Sequence, residues 1–261
     1  MTKSPTGKKK IGIAFSGAVV RGFVHVGVLQ ALEEENIRPD IFGGSSAGSI
    51  IAYLAAAGLT SQQILNTSHK ISWLRMVRPI LSKLGIVSFQ PLEQLLIKQV
   101  GDLYFEDLAA PLVVSTTDLD TGEPVLFSSG PVAPAVHASC AVPGLVKPVS
   151  HAGHELLIDG GVSNNTPSHS VRSLGADYVI GVDVFSPHRR RFGGPIGVGL
   201  NAMEIMVRNS NRGPLGADCL IAPDLSDVSF YRFRQKQRMI DIGRREAEKH
   251  IDEIKREMTS E

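Results

Sequence analysis

One serine in the chain stands where nucleophilic chemistry would need it, in Gly44-Ser45-Ser46-Ala47-Gly48. In a G-x-S-x-G pentapeptide the central serine sits on a strained turn between a strand and a helix. The flanking glycines let neighbouring backbone pass close by. The helix that follows points its N-terminus at the reacting centre and favours developing negative charge there. Five residues alone recur by chance, so their surroundings must carry the assignment. Ile41-Phe42 leads into Gly43-Gly44, and residues 47–57 are apolar nearly all round, with Gly58 a natural helix stop. That context fits.

A serine hydroxyl needs a proton acceptor within hydrogen-bond reach. His69, His137, His151, His154, His169, His188 and His250 all follow Ser46, so a Ser, acid, His order is one option. Only one strand-helix unit precedes the elbow, however, and none of these histidines sits in a late strand-to-loop context. Asp159 is the better candidate. It ends the apolar run Leu156-Leu157-Ile158, and Gly160-Gly161 remove side-chain bulk just beyond it. Taken alone it would also fit an ordinary Asp-Gly turn. A carboxylate of ordinary pKa is a poor base near neutral pH, so a Ser46–Asp159 pair requires shelter and tight geometry.

The elements that must position these groups read as a repeating α/β pattern. Residues 10–15, 112–117, 178–184 and Cys219-Leu220-Ile221 look like buried strands. Residues 22–35 form a helix with Val24, Val28 and Leu32 on one face, and 167–174 and 196–208 are also helical. A charged amphipathic helix spans 235–258. Such alternation predicts an α/β protein with a mostly parallel sheet covered on both faces, built as a single domain over residues 1–261. Two stretches break the rhythm. Residues 73–96 mix Trp73, Leu74, Met76, Val77, Ile80, Leu81 and Leu84 with Arg75, Arg78 and Lys83, and suit a lid, a lipid-facing element or a solvated face. Within them, 73–84 suits part of an acyl groove or a helix packed on the sheet. Residues 187–195 form a basic loop with Arg189, Arg190 and Arg191. Asp118, Asp120 and Glu123 bracket Thr121-Gly122 and read as a hairpin turn, not a metal site.

With 261 residues, 43% of them hydrophobic, the chain can fill one sizeable core. A formal net charge of +1 gives no reason to expect a nucleic-acid partner. Cys140 and Cys219 lack CxxC or Cys/His spacing, which argues against a disulfide framework or zinc site and for a reducing compartment. The lysine-rich start leads into the β-like residues 11–15, not a signal-peptide core, and no window reaches eighteen uninterrupted apolar residues. The expectation is a cytoplasmic protein whose basic segments can touch a membrane peripherally. The first loop lacks G-x-G-x-x-G and no G-K-[ST] follows, so a nucleotide-binding domain fits worst.

Taken together, Ser16-Gly17-Ala18-Val19-Val20-Arg21-Gly22 after the first strand, Gly44-Ser45-Ser46-Ala47-Gly48 and Asp159-Gly160-Gly161 resemble the three signature blocks of patatin-like phospholipases, in their order. The stretches 23–29, 138–144 and 162–167 are similar to the family as well, so the resemblance covers about residues 10–185. It implies a three-layer α/β/α fold, a Ser46–Asp159 dyad without histidine, no cofactor, and hydrolysis of lipid acyl esters. It also implies an oxyanion hole of backbone amides at Gly17, Ala18 and Val19, with Arg21 and Gly22 beside it. Arg21 there would orient the loop, meet a phosphate, or form a surface salt bridge. The family's first block is a run of glycines, and Ala18 and Val19 depart from it. Any residue but proline supplies an N–H, yet a β-branched residue where φ > 0 is needed is strained or forces another path. That departure motivates the alternative, a catalytically weak or inactive binding module on the same fold.

Overall fold

The computed structural model describes residues 9–68, 73–185, 216–228 and 233–259, together with 194, 198, 202 and 205–208. The expected helix at 196–208 and the basic loop at 187–195 lie largely outside the described residues. In chain order the elements are β1 Ile11–Phe15, α1 Phe23–Glu34, β2 Ile41–Ser45, α2 Ala47–Ala56, α3 Ser61–Ser68, α4 Trp73–Met76, β3 Arg78–Pro79, β4 Val87–Ser88 and α5 Gln90–Val100. There follow β5 Leu112–Asp118, β6 Pro124–Phe127, α6 Val132–Ser139, β7 Val149–His151, β8 His154–Asp159, α7 Ser168–Ser173, β9 Tyr178–Val182, β10 Cys219–Ile221, α8 Lys236–Glu248 and α9 Ile251–Thr259.

The main sheet has the order β10-β9-β1-β2-β5-β8-β7, with β6 on the free edge of β5. Pairings from β10 through β5 are parallel, while β6, β8 and β7 join antiparallel. Strand residues of β1 alternate between the two faces, as a pleated strand dictates. Ile11, Ile13 and Phe15 join Val24, Val28 and Leu32 of α1 and Ile240 of α8 in the larger core. Ala14 joins Ile41, Val113 and Val171 of α7 in a smaller one on the other face. The result is a three-layer α/β/α fold with a mostly parallel central sheet.

Two expectations are refined. The helix predicted over 235–258 is two helices, α8 and α9, separated by Lys249 and His250. Ala247, Ile251 and Ile254 keep its apolar face buried across the break. The stretch 73–96 is not one element but a short helix, the β3–β4 hairpin and the start of α5. The acidic cluster at 118–123 closes the β5–β6 hairpin, as expected. Asp118 accepts hydrogen bonds from the N–H groups of Asp120 and Thr121, and Gly122 sits at φ +75°. Among the described residues no helix is long and apolar enough to cross a membrane.

Candidate active site

The register of β5 brings the serine and the carboxylate together. Ser115 lies between Ser45 of β2 and Leu126 of β6, while Thr116 lies between Val125 of β6 and Asp159 of β8. Strands β2 and β8 therefore share one edge of β5 and run toward each other, meeting where Ser45 and Asp159 end them. The residue after Ser45 is the elbow serine. Such closeness needs bare backbone: a Cβ on Gly160 would stand 2.1 Å from the Ser115 carbonyl oxygen, and one on Gly48 would stand 2.3 Å from that of Phe15. Both positions admit only glycine.

Ser46 adopts φ +49°, ψ −125°, a strained conformation for a residue with a side chain. It persists because the surroundings fix it. The Ser46 N–H donates to Ser139 Oγ at 2.8 Å, and Ser139 Oγ in turn donates to the Ser115 carbonyl at 2.6 Å. Ser49 Oγ donates to the Ser46 carbonyl from the first turn of α2. In this geometry Ser46 Oγ donates to Asp159 Oδ2 at 2.6 Å, and the two residues are 8% and 4% exposed. The other carboxylate oxygen accepts from the Gly161 N–H at 2.8 Å. Burial pushes the Asp159 carboxyl up to about 6, against the opposing pull of the hydrogen bonds from Ser46 and Gly161. The carboxylate is thus a stronger base than a solvated aspartate, yet still ionised near neutral pH.

Among the described residues no histidine bonds to Ser46 or Asp159. His25 donates from Nε2 to the Ser16 carbonyl at 2.8 Å and is held neutral, its pKa lowered to about 4 by burial. His137 pairs with Glu93 and His154 with Asp118. His69 and His188 lie outside the described residues. Cys219, without a Cys/His partner nearby in sequence, comes within 4.8 Å of His250 and Glu253 in space. Burial and Glu253 push its thiol up to about 12.

The loop from Gly17 to Gly22 borders the elbow, and its residues divide by role. The Gly17 N–H donates to Asn165 Oδ1 at 3.0 Å, and Asn165 Nδ2 donates back to the Gly17 carbonyl at 3.3 Å. The Gly17 amide is therefore engaged, while among the described residues no protein acceptor holds the N–H groups of Ala18 and Val19. Asn165, 1% exposed, is a site residue that the sequence did not single out within 162–167. Arg21 is fully buried and is no surface salt bridge. Its guanidinium donates to the carbonyls of Leu225 at 2.7 Å and Val228 at 2.8 Å, which ties the loop to the segment after β10.

Val19 adopts φ +50°. The loop keeps a path suited to glycine, and the β-branched side chain bears the strain, on the order of 1–2 kcal/mol. Its side chain also lines an apolar cavity of about 80 Å³ beside Ser46, with Phe23, Ile50, Ile51, Met76 and Phe89. Val19→Gly should therefore raise turnover, by widening the cavity and relaxing the loop. It should also raise stability by about 0.5–1 kcal/mol, once glycine's greater unfolded freedom is set against the relieved strain. Steady-state kinetics and thermal melts check this, and unchanged turnover would remove Val19 as a brake.

A serine on a strained turn between the C-terminal end of a central parallel strand and a helix, facing a buried carboxylate, defines the class of α/β protein. Within it, the chain belongs to the patatin-like phospholipase family, whose model matches residues 13–172. A patatin-like phospholipase domain-containing protein of Caenorhabditis elegans is 36% identical over 67% of this chain and 14% of its own length. An NTE family protein of Mycobacterium tuberculosis is 32% identical over 67% of this chain and 49% of its own. The lysophospholipase nte1 of Aspergillus fumigatus is 31% identical over 68% of this chain and 12% of its own. The chain thus spans about half or less of these relatives. Among solved structures, VipD from Legionella pneumophila superposes with a TM-score of 0.64 at 15% identity, covering 97% of this chain and 69% of VipD. The type III effector ExoU gives 0.55 at 16%, covering 94% and 53%.

Proposed function

We propose that the protein is a serine hydrolase of lipid acyl esters, phospholipid or lysophospholipid, working through Ser46 and Asp159 without a cofactor. The observation that carries this reading is the 2.6 Å hydrogen bond from Ser46 Oγ to a buried carboxylate made more basic by its burial. Ser46 Oγ attacks the ester carbonyl carbon while Asp159 Oδ2 takes its proton. The resulting oxyanion is met by the N–H groups of Ala18 and Val19, and the positive end of α2, which starts beside Ser46, adds to the field. Gly17, held by Asn165, fixes the loop's start. Collapse breaks the C–O bond to the alcohol, which leaves with the proton from Asp159. Water then gives a proton to Asp159 and attacks the acyl-Ser46 carbonyl carbon; the C–O bond to Ser46 breaks, Asp159 returns the proton to Ser46 Oγ, and the fatty acid leaves.

Membership of a phospholipase family and an apolar cavity at Ser46 support a lipid acyl group as the substrate. The test is covalent labelling by a fluorophosphonate probe, which needs both an activated serine and stabilisation of the developing oxyanion. Wild type should label and Ser46→Ala should not. Absence of Ser46-dependent labelling in folded wild-type protein would sink the hydrolase reading and favour the binding module that the Ala18-Val19 departure suggests.

A further inference from the structure

The described residues include an apolar projection that the Ser46–Asp159 chemistry does not use. Leu81 is 107% exposed, Leu84 50% and Ile86 53%, all within the β3–β4 hairpin. Scattered exposed leucines need no explanation, but three large apolar side chains on one tip amount to a patch. The tip is not a loose end. The Ile80 N–H donates to the Ile86 carbonyl, and both Ile86 and Val87 N–H groups donate to the Leu145 carbonyl. The Lys147 N–H donates back to the Val87 carbonyl, and buried Gly85 packs on the Lys147 backbone. The apolar side chains are held out by a fixed frame.

Charge and position identify what they meet. Arg75, Arg78, Lys83 and Lys147 are exposed around the hairpin, and no Asp or Glu occurs from Trp73 to Leu92. The hairpin's two ends run directly into the cavity beside Ser46: Met76 precedes it, Phe89 follows it, and both line that cavity. An apolar tip flanked by exposed cations, on a stretch whose own sequence carries no carboxylate, complements an anionic lipid surface, where leucines enter the acyl boundary and lysines and arginines meet headgroups. We infer that residues 77–88 form a membrane-docking hairpin that seats on an anionic lipid bilayer and brings the Ser46 cavity against it. That the docked lipid is also the substrate rests on the hydrolase reading; the docking itself does not.

Ser46→Ala protein, which leaves the lipid intact, is sedimented with phosphatidylcholine vesicles made with and without phosphatidylserine. Binding should favour the anionic vesicles and weaken, without vanishing, at high salt. Leu81→Ser with Leu84→Ser should lower partitioning on the order of tenfold or more, because apolar insertion is lost. Lys83→Gln should lower it about fivefold on anionic vesicles and leave it unchanged on neutral ones. These side chains are exposed, so melting temperatures should hold and serve as the folding control. In the Ser46 background the double variant should cleave a soluble short-chain ester normally and vesicle lipid poorly. Failure of the starting protein to bind anionic vesicles, or undiminished binding by the folded double variant, would overturn the inference. Inactivity toward the soluble ester with vesicle binding intact would instead count against the hydrolase reading alone.

Discussion

Replacing Asp159 by asparagine should cut turnover on a soluble ester by about 10²–10⁴-fold, the usual worth of a positioned base, while making the protein more stable at pH 8. Both effects follow from one buried carboxylate. Asparagine is nearly isosteric: its oxygen can accept from the Gly161 N–H while its amide donates to Ser46 Oγ, so the elbow keeps its geometry. It cannot take the proton. The stability effect has the opposite sign because Asp159 is ionised at a cost. Its folded pKa of about 6 lies above the ordinary 3.8. Between those values the folded protein keeps a proton that the unfolded chain has released, so this group's contribution to stability falls as pH rises through the window. Above pH 6 the whole penalty, roughly 2–3 kcal/mol, is in place, and the asparagine variant escapes it. Wild-type turnover should accordingly rise as pH climbs through about 6. Kinetics across pH 5–8 and melts of both proteins at pH 4 and pH 8 read all three effects. Wild-type activity in Asp159→Asn would remove the aspartate from the base role. A variant less stable than wild type at pH 8 would show that the carboxylate's hydrogen bonds outweigh its burial.

Much of this site could be read in the sequence, and what could not has a common cause. Gly44 to Gly48 is a local pattern whose strand, turn and helix are neighbours in the chain, so short-range spacing suffices. Asp159 was legible as a residue type at the end of an apolar run, but its pairing with Ser46 depends on β8 sharing an edge of β5 with β2. That is a register between segments over a hundred residues apart, and the antiparallel entry of β8 hides it further. The tight turn before β8 does carry a signal, because Ala152 and Gly153 both take positive φ, yet one glycine among many does not mark a hairpin. Arg21 shows the same limit. Its sequence setting suits a surface ion pair or a phosphate contact, and only the fold shows it fully buried on carbonyls of residues 225 and 228. For residues 73–96 the mixture of apolar and basic types was visible. Which side chains line the cavity, such as Met76, and which project outward, such as Leu81, was not, since helical and hairpin readings assign them to different faces.

Asn165 was the least legible residue, and the geometry gives it a large effect. It lies six residues beyond Asp159, and its side-chain amide holds both polar groups of the Gly17 peptide. A Cβ built on Gly161 would stand 3.0 Å from Asn165 Oδ1 and 3.0 Å from Asp159 Oδ1, so the two side chains flank one glycine. Asn165 is therefore a positioning residue that couples the strand carrying the carboxylate to the loop whose amides would meet the oxyanion. Asn165→Ala leaves a buried N–H and carbonyl unpaired, at about 1–3 kcal/mol each, unless the loop moves to satisfy them. If it moves, Ala18 and Val19 lose their aim. Turnover should then fall about 10²–10³-fold, as when one oxyanion donor is removed, with KM changed little. Fluorophosphonate labelling of Ser46 should slow in parallel, and the pH midpoint near 6 should stay. Asn165→Asp separates aim from charge. It keeps an acceptor for the Gly17 N–H but turns a carboxylate oxygen toward the Gly17 carbonyl and sets a second negative charge near Asp159. Its pH midpoint should therefore move up, which a merely structural defect would not produce. Folded Asn165→Ala with wild-type turnover would show that the loop holds its aim without this clamp.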